Sequence, residues 1–364
     1  MLAVAIFFQF YFSFIFQFIA EIKWYKKTIF FLSLFAFYIL FIGITDTADW
    51  RMYDDLFNID DIETDILFRY FSLVVFALGY SFTDLFQVHI LLYGFLLVQF
   101  ISRFTQNILL VLGFYVFIAY VPLANQIRYY LALSLFLNGL YFFYFDQKRK
   151  SYYYLALSFL SHSSMIVLFG FFVLEKQVAM ANFVKTCLLL SVVIFFGFNF
   201  VVTFGLLDFL GKFKEYIIND DLVSSFIGGV FNELPFILTL IVIYFWIQNV
   251  LVQLPQLLDN KVFVFLYKLT FFSIIFIPIS FNIQVLGHRY VQAFFIVWLC
   301  LFVYVWSFIK SRDTNIFYFS ILSVYMIFLV YYIYFLPQIV LGTQSEYLVE
   351  FIKSYNSIGY LPDL

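Results

Sequence analysis

The sequence predicts an all-α, polytopic integral membrane protein of about 11–13 transmembrane or re-entrant helices. Three observations carry that expectation. Of 364 residues, 65% are hydrophobic and 12% charged, against roughly 25% charged in a soluble domain, so most of the surface must face hydrocarbon. The mean hydropathy is +0.99. Apolar runs of about 17 to 25 residues recur along the chain, each long enough to cross roughly 30 Å of hydrocarbon.

Taken in order, the first run covers 2–20. It lacks a basic leader and a small-residue cleavage site, and "EIKWYKK" follows directly, so it reads as a retained helix rather than a signal peptide. Further runs fall at 28–44, 67–82, 86–102, 108–122 and 126–145, then at 186–206, 231–251, 262–280, 288–309 and 314–336. Residues 151–174 are ambiguous between one span and a hairpin turning near "SHSS". Residues 1–364 are read as a single transmembrane domain, with an acidic outer loop at 45–66 and an outer tail from about 337 to 364.

Sidedness follows from the rule that cytoplasmic loops retain Lys and Arg. Lys23, Lys26 and Lys27, then Arg103, then "DQKRK" at 146–150 share one side if every intervening run spans once. Lys176 with Lys185, Lys261, and Lys310 with Arg312 join them only if 151–174 enters and leaves by the same face. Irregular backbone of that kind is tolerated where it is buried in protein or lines a wet cavity.

Several classes of function are excluded. A net charge of -2 does not suit a nucleic-acid binder. There is no G-x-x-x-x-G-K-[ST], no H-E-x-x-H and no sizeable cytosolic domain, which argues against ATP-driven transport. Cys187 and Cys300 lie in apolar runs without C-x-x-C spacing.

The polar residues of interest collect at the outer side. Arg128, in "VPLANQIRYY", stands at the mouth of a span, with Asn125 three residues earlier on the same helical face. An arginine there costs less than the roughly 2.5–3.5 kcal/mol of the helix centre, yet still needs water or an anion. Two readings stand: a side chain reaching lipid headgroups, or a phosphate clamp, for which a planar, permanently charged fork is suited. His162 in "LSFLSHSSMIVL" is flanked by Ser158, Ser161, Ser163 and Ser164. Such hydroxyls ease helix packing, whereas a histidine at a re-entrant tip is placed for proton transfer near neutral pH.

His288 and Arg289 open a late span in "QVLGHRYVQAFF", between Gln284 and Gln292, and with Arg128 would form an electropositive outer pocket. Asp49 and Tyr53 in "TADWRMY" are spaced i, i+4; an aspartate at the membrane boundary can deprotonate a hydroxyl, while its acidic neighbours read as a solvated loop. His89, in "LFQVHILLYGF", reads as a packed histidine bonded to a neighbouring helix. "LDFLGKFKEYI", with Asp208, Lys212, Lys214 and Glu215, reads as an amphipathic interfacial stretch.

In order along the chain, "TDTADWRMY", "NQIRYYLALSLFL", "DQKRK", "LSFLSHSSMIVL" and "GHRY" resemble the EpsG-type branch of the Wzy-like polysaccharide polymerases, which includes O-antigen and capsule polymerases. The likeness covers most of residues 40–300. The family pattern runs G-T-D-aromatic-x-x-Y, then R-Q-x-hydrophobic-A, then F-H-x-S-A. Arg128, His162 and Ser164 match it; the Asp-aromatic pair is Asp49-Trp50 with Tyr53 following, Tyr129 stands where Gln is common, and Ser161 where Phe precedes the His.

The resemblance implies a bacterial inner-membrane enzyme, for which a GT-C-like arrangement is one allowed form, that joins oligosaccharide repeat units carried on undecaprenyl diphosphate at the periplasmic face. On that implication Arg128 and Arg289 stabilise the diphosphate leaving group, and His162 or Asp49 takes the proton of the attacking hydroxyl. Tyr53, Asn125, Tyr129, Ser164 and His288 then line the substrate site. No cofactor is required, although the acidic loop would accept a divalent cation. The implied partners are the lipid-linked oligosaccharide and the bilayer, with a chain-length regulator allowed and nucleic acid excluded. Rival readings are a lipid-linked oligosaccharide flippase, which would show two related halves, and a membrane acyltransferase, for which His89 is the available deep histidine.

Overall fold

In a computed structural model, residues 25–44, 47, 49–58, 65–204, 226–283, 287, 289–309, 324, 325 and 328 are described. The runs expected at 2–20 and across most of 314–336, the interfacial stretch from Asp208 to Glu215, His288, Gln284 and the tail from 337 lie outside them. Among the described residues all the elements are helical, as an all-α membrane protein requires. Five helices among the described residues are long and apolar enough to cross a membrane, and three shorter apolar helices accompany them.

The chain divides into two compact units, residues 1–168 with 322–364, and residues 169–321. The first contains α1 (Tyr25–Ile42), α2 (Trp50–Asn58), α3 (Ile66–Ala77), α4 (Phe82–Ser102), α5 (Ile108–Asn125), α6 (Ile127–Tyr144) and α7 (Lys148–Ser161). Its centre is α5 and α6, buried on nearly every side. Between helices in lipid there is little water to expel, so association rests on close packing and interhelical hydrogen bonds. Both are present. Tyr93 donates to the Leu123 carbonyl at 2.9 Å, and Asn138 to the Leu96 carbonyl at 2.9 Å, tying α4 to α5 and α6. Phe37 of α1 packs so close to Gly94 that a methyl there would come within 2.6 Å of its ring.

The α6–α7 hairpin sets the site. Asp146 turns the chain with a left-handed φ of 61°, a conformation that aspartate tolerates better than most residues. The helices then run antiparallel in a close register, Ser151 Oγ donating to the Gly139 carbonyl at 2.9 Å and Ser158 Oγ to the Ala132 carbonyl at 2.7 Å. Small residues at the seam permit that approach. Continued by one more turn, the register sets the end of α7 against the start of α6. At the opposite end, Arg103 lies over the rings of Tyr141 and Phe142, at 4.3 and 4.4 Å. Burial draws its guanidinium down to about 10, which leaves it charged at neutral pH.

The ambiguous segment is broken where a hairpin would need it. α7 stops at Ser161, His162 is extended (φ -159°, ψ 114°), and a 3₁₀ helix, Ser163–Phe169, follows. The second unit holds α8 (Gly170–Gln177), α9 (Met180–Thr203), α10 (Phe226–Gln253), α11 (Lys261–Phe272), α12 (Ile277–Ser280) and α13 (Phe295–Trp306). The span expected at 262–280 is not one regular helix: a 3₁₀ turn at Ser273–Phe276 separates α11 from α12. Pro278 supplies the reason, since it has no N–H for the residue four back and its ring crowds that carbonyl.

Candidate functional site

Arg128 occupies the first turn of α6, which the half-extended Gln126 separates from α5. Its Nη1 lies 3.1 Å from Asp65 Oδ2, and both side chains are only about 15% exposed (16% and 15%). The guanidinium carbon is 5.1 Å from the ring centre of Tyr53 and 5.3 Å from that of Phe68. The arginine is thus enclosed by α2 and α3 rather than extended into headgroups, and its Nε is buried without a hydrogen-bond partner.

Asp65 connects this arginine to the histidine segment. Its Oδ1 faces the Ser163 N–H at 3.4 Å. At the end of α7, the His162 ring meets the buried Tyr129 edge-on with centroids 5.6 Å apart. Its Nδ1 lies 2.9 Å from Ser164 Oγ and 3.3 Å from the Ser164 N–H. A backbone N–H can only donate, so the neutral ring that faces it keeps its own proton on Nε2. In this arrangement Nε2 is a hydrogen-bond donor.

The first unit therefore brings together Arg128, Tyr53, Tyr129, His162 and Ser164 of the residues singled out from sequence. Asn125, half-buried, ends α5 beside the same turn. Asp49 is half-buried at the start of α2, where its carbonyl accepts the Tyr53 N–H at 3.0 Å, one turn below the ring that faces Arg128. Trp50 anchors that start on Phe82 and Phe86, with centroids 4.9 and 5.0 Å away. Arg289 belongs to the second unit, half-buried within the turn that precedes α13.

Two residues escaped the sequence reading. From sequence Asp65 reads as part of a solvated acidic loop, yet it is mostly buried and paired with Arg128. The signal was its position, the last carboxylate before the apolar run. Glu233, inside α10, is 5% exposed, with Oε2 buried and unpartnered. Its Oε1 packs on Gly287, next to the Arg289 turn, where any Cβ would collide with it. A carboxylate inside a span is a signal in itself.

His89 is packed as expected, 1% exposed between Phe68 and Phe71, but its Nδ1 meets the Leu85 carbonyl of its own helix at 2.9 Å. The neighbouring helix supplies rings instead of a hydrogen bond.

No curated protein and no solved structure was found to match the chain. A family model described as the EpsG family matches residues 28–347, from the second apolar run past the last described helix, and so takes in the Arg128, His162 and Arg289 segments alike. The chain therefore belongs to the EpsG family, membrane proteins associated with polysaccharide polymerisation.

Proposed function

We propose that the chain is a glycosyltransferase of the bacterial inner membrane that joins undecaprenyl-diphosphate-linked repeat units into O-antigen, capsule or exopolysaccharide at the periplasmic face. One observation carries the reading: a largely buried guanidinium, oriented by Asp65 and two rings, adjoins a histidine whose Nε2 is a donor. Fixed donors of this kind act on charge that develops in the transition state, at no cost of reorganisation.

In the reaction, the hydroxyl oxygen of one unit bonds to the anomeric carbon of the other as the bond from that carbon to the diphosphate oxygen breaks. The diphosphate leaves with the electron pair. Arg128 meets its oxygens through the N–H groups that Asp65 does not hold, and His162 adds a hydrogen bond from Nε2. Arg289, with His288 beside it in sequence, is a further cation for a phosphate ligand and belongs to the second unit. The hydroxyl proton goes to Asp49, because Asp65 is held in an ion pair and His162 is already protonated at the nitrogen it presents. Tyr53, Tyr129, Asn125 and Ser164 position the sugars or the histidine.

The ion pair also favours a second reading, in which Arg128 merely pins α3 to α6. Elongation of an undecaprenyl-diphosphate-linked repeat unit by purified protein separates the two. The proposal expects Arg128→Lys to remain monodisperse and lose the product ladder by at least about a hundredfold, as removal of one oxyanion donor does elsewhere. A ladder unchanged in a folded Arg128→Lys would leave only the pin. No ladder from the parent with its own repeat unit would favour a flippase.

A further inference from the structure

Between α9, α10 and α11 of the second unit lies a half-open groove of about 730 Å³, within the range of roughly 300–1,000 Å³ that holds small ligands. Its walls are almost wholly apolar, with Val184, Leu188, Leu240 and Phe271 among them. Among the described residues the lining contains one cation, the exposed Lys185, one amide, Gln248, and no carboxylate. An amphipathic occupant with a long hydrocarbon part and one anionic end matches that distribution.

The ends of the groove are unlike. Lys185 lies in the second turn of α9, Gln248 near the end of α10, and Leu258 just before Lys261 at the start of α11. The other end, toward Ile237 and Pro278, is apolar. The end near Leu258 carries Lys185, with Asp259 and Lys261 following Leu258, and the positive-inside rule assigns Lys185 and Lys261 to the cytoplasm when residues 151–174 enter and leave by the same face. Basic pockets between transmembrane helices on that side suit anionic headgroups, since the cytoplasmic leaflet is the anionic one.

We propose that this groove holds the acyl chain of an anionic phospholipid of the cytoplasmic leaflet, with its phosphate against Lys185 and Gln248. The lipid fills what would otherwise be a gap between three helices and braces the second unit. The assignment is independent of sugar chemistry.

Native mass spectrometry of the full-length protein in detergent, with equal amounts of phosphatidylglycerol and phosphatidylethanolamine of matched chains, tests it. Preferential retention of phosphatidylglycerol is expected. Lys185→Gln should reduce that retention about fivefold, the value of one lysine near an anionic surface, and leave phosphatidylethanolamine unchanged. Val184→Trp, which narrows the groove, should displace both. Equal retention of the two lipids by the parent, or a Lys185→Gln protein that binds like the parent, overturns the proposal. Displacement of phosphatidylglycerol by an equal amount of a polyprenyl diphosphate overturns it too, by assigning the groove to the substrate's own chain.

Discussion

At the scale of single residues, the decisive pair is Arg128 and Asp65. A guanidinium that is 16% exposed cannot rely on water, and Asp65 with the faces of Tyr53 and Phe68 replaces the lost solvation. Removing the carboxylate leaves a mostly buried cation uncompensated. Asp65→Asn should thus cost about 2 kcal/mol, less than the roughly 3–5 kcal/mol of a fully buried broken pair because some solvent reaches both side chains. A thermal melt in detergent measures it; a midpoint equal to the parent's would show that the pair contributes nothing. Gly287 is the second sensitive point. Its missing Cβ would overlap Glu233 Oε1 and lie 2.9 Å from Ser280 Cβ, so Gly287→Ala must displace either the Glu233 carboxylate or the turn bearing Arg289. Glu233→Ala removes the nearer obstacle, and the double variant should recover part of the loss. Strict additivity of the two losses would argue against that contact.

At the scale of elements, the α6–α7 hairpin is the part most exposed to steric change. A Cβ at Gly139 would lie 2.9 Å from Leu155 Cγ and 3.3 Å from its backbone nitrogen. Gly139→Ala should therefore destabilise by about 1–3 kcal/mol, the usual penalty of overpacking. Gly170→Ala, where nothing lies within 4 Å of the added methyl, should be neutral or slightly stabilising. The order of their melting temperatures checks both, and Gly139→Ala melting above Gly170→Ala would contradict the packing. The hairpin was partly legible in sequence: "DQKRK" marked its turn, and "SHSS" marked the break after α7. Its register was not, because the seam depends on which small residue faces which, and Gly139 and Ser158 have no distinguishing chemistry in a run of apolar neighbours.

At the scale of the whole molecule, the charge pattern gives an orientation that can be measured. The exposed Lys148 opens α7 within the basic segment 146–150, and the 44%-exposed Met52 belongs to the acidic outer segment. Met52→Cys should react with a membrane-impermeant maleimide in intact cells and Lys148→Cys only after lysis. The native Cys187 and Cys300 are buried and should contribute little background. The opposite labelling pattern would invert the proposed topology and move the site to the cytoplasm. The sequence alone determined the class of molecule, because hydrocarbon imposes its requirement on composition and run length, which need no partners to be seen. It also marked Arg128 and His162, since charge and polarity inside apolar runs are conspicuous one residue at a time. Only the tertiary structure decided that Asp65, among the described carboxylates of the first outer loop, is a counter-ion of Arg128, and that Glu233 packs on the Arg289 turn. Those choices depend on contacts between residues far apart in sequence, made when helices pack, and identical side-chain chemistry along a loop cannot distinguish them.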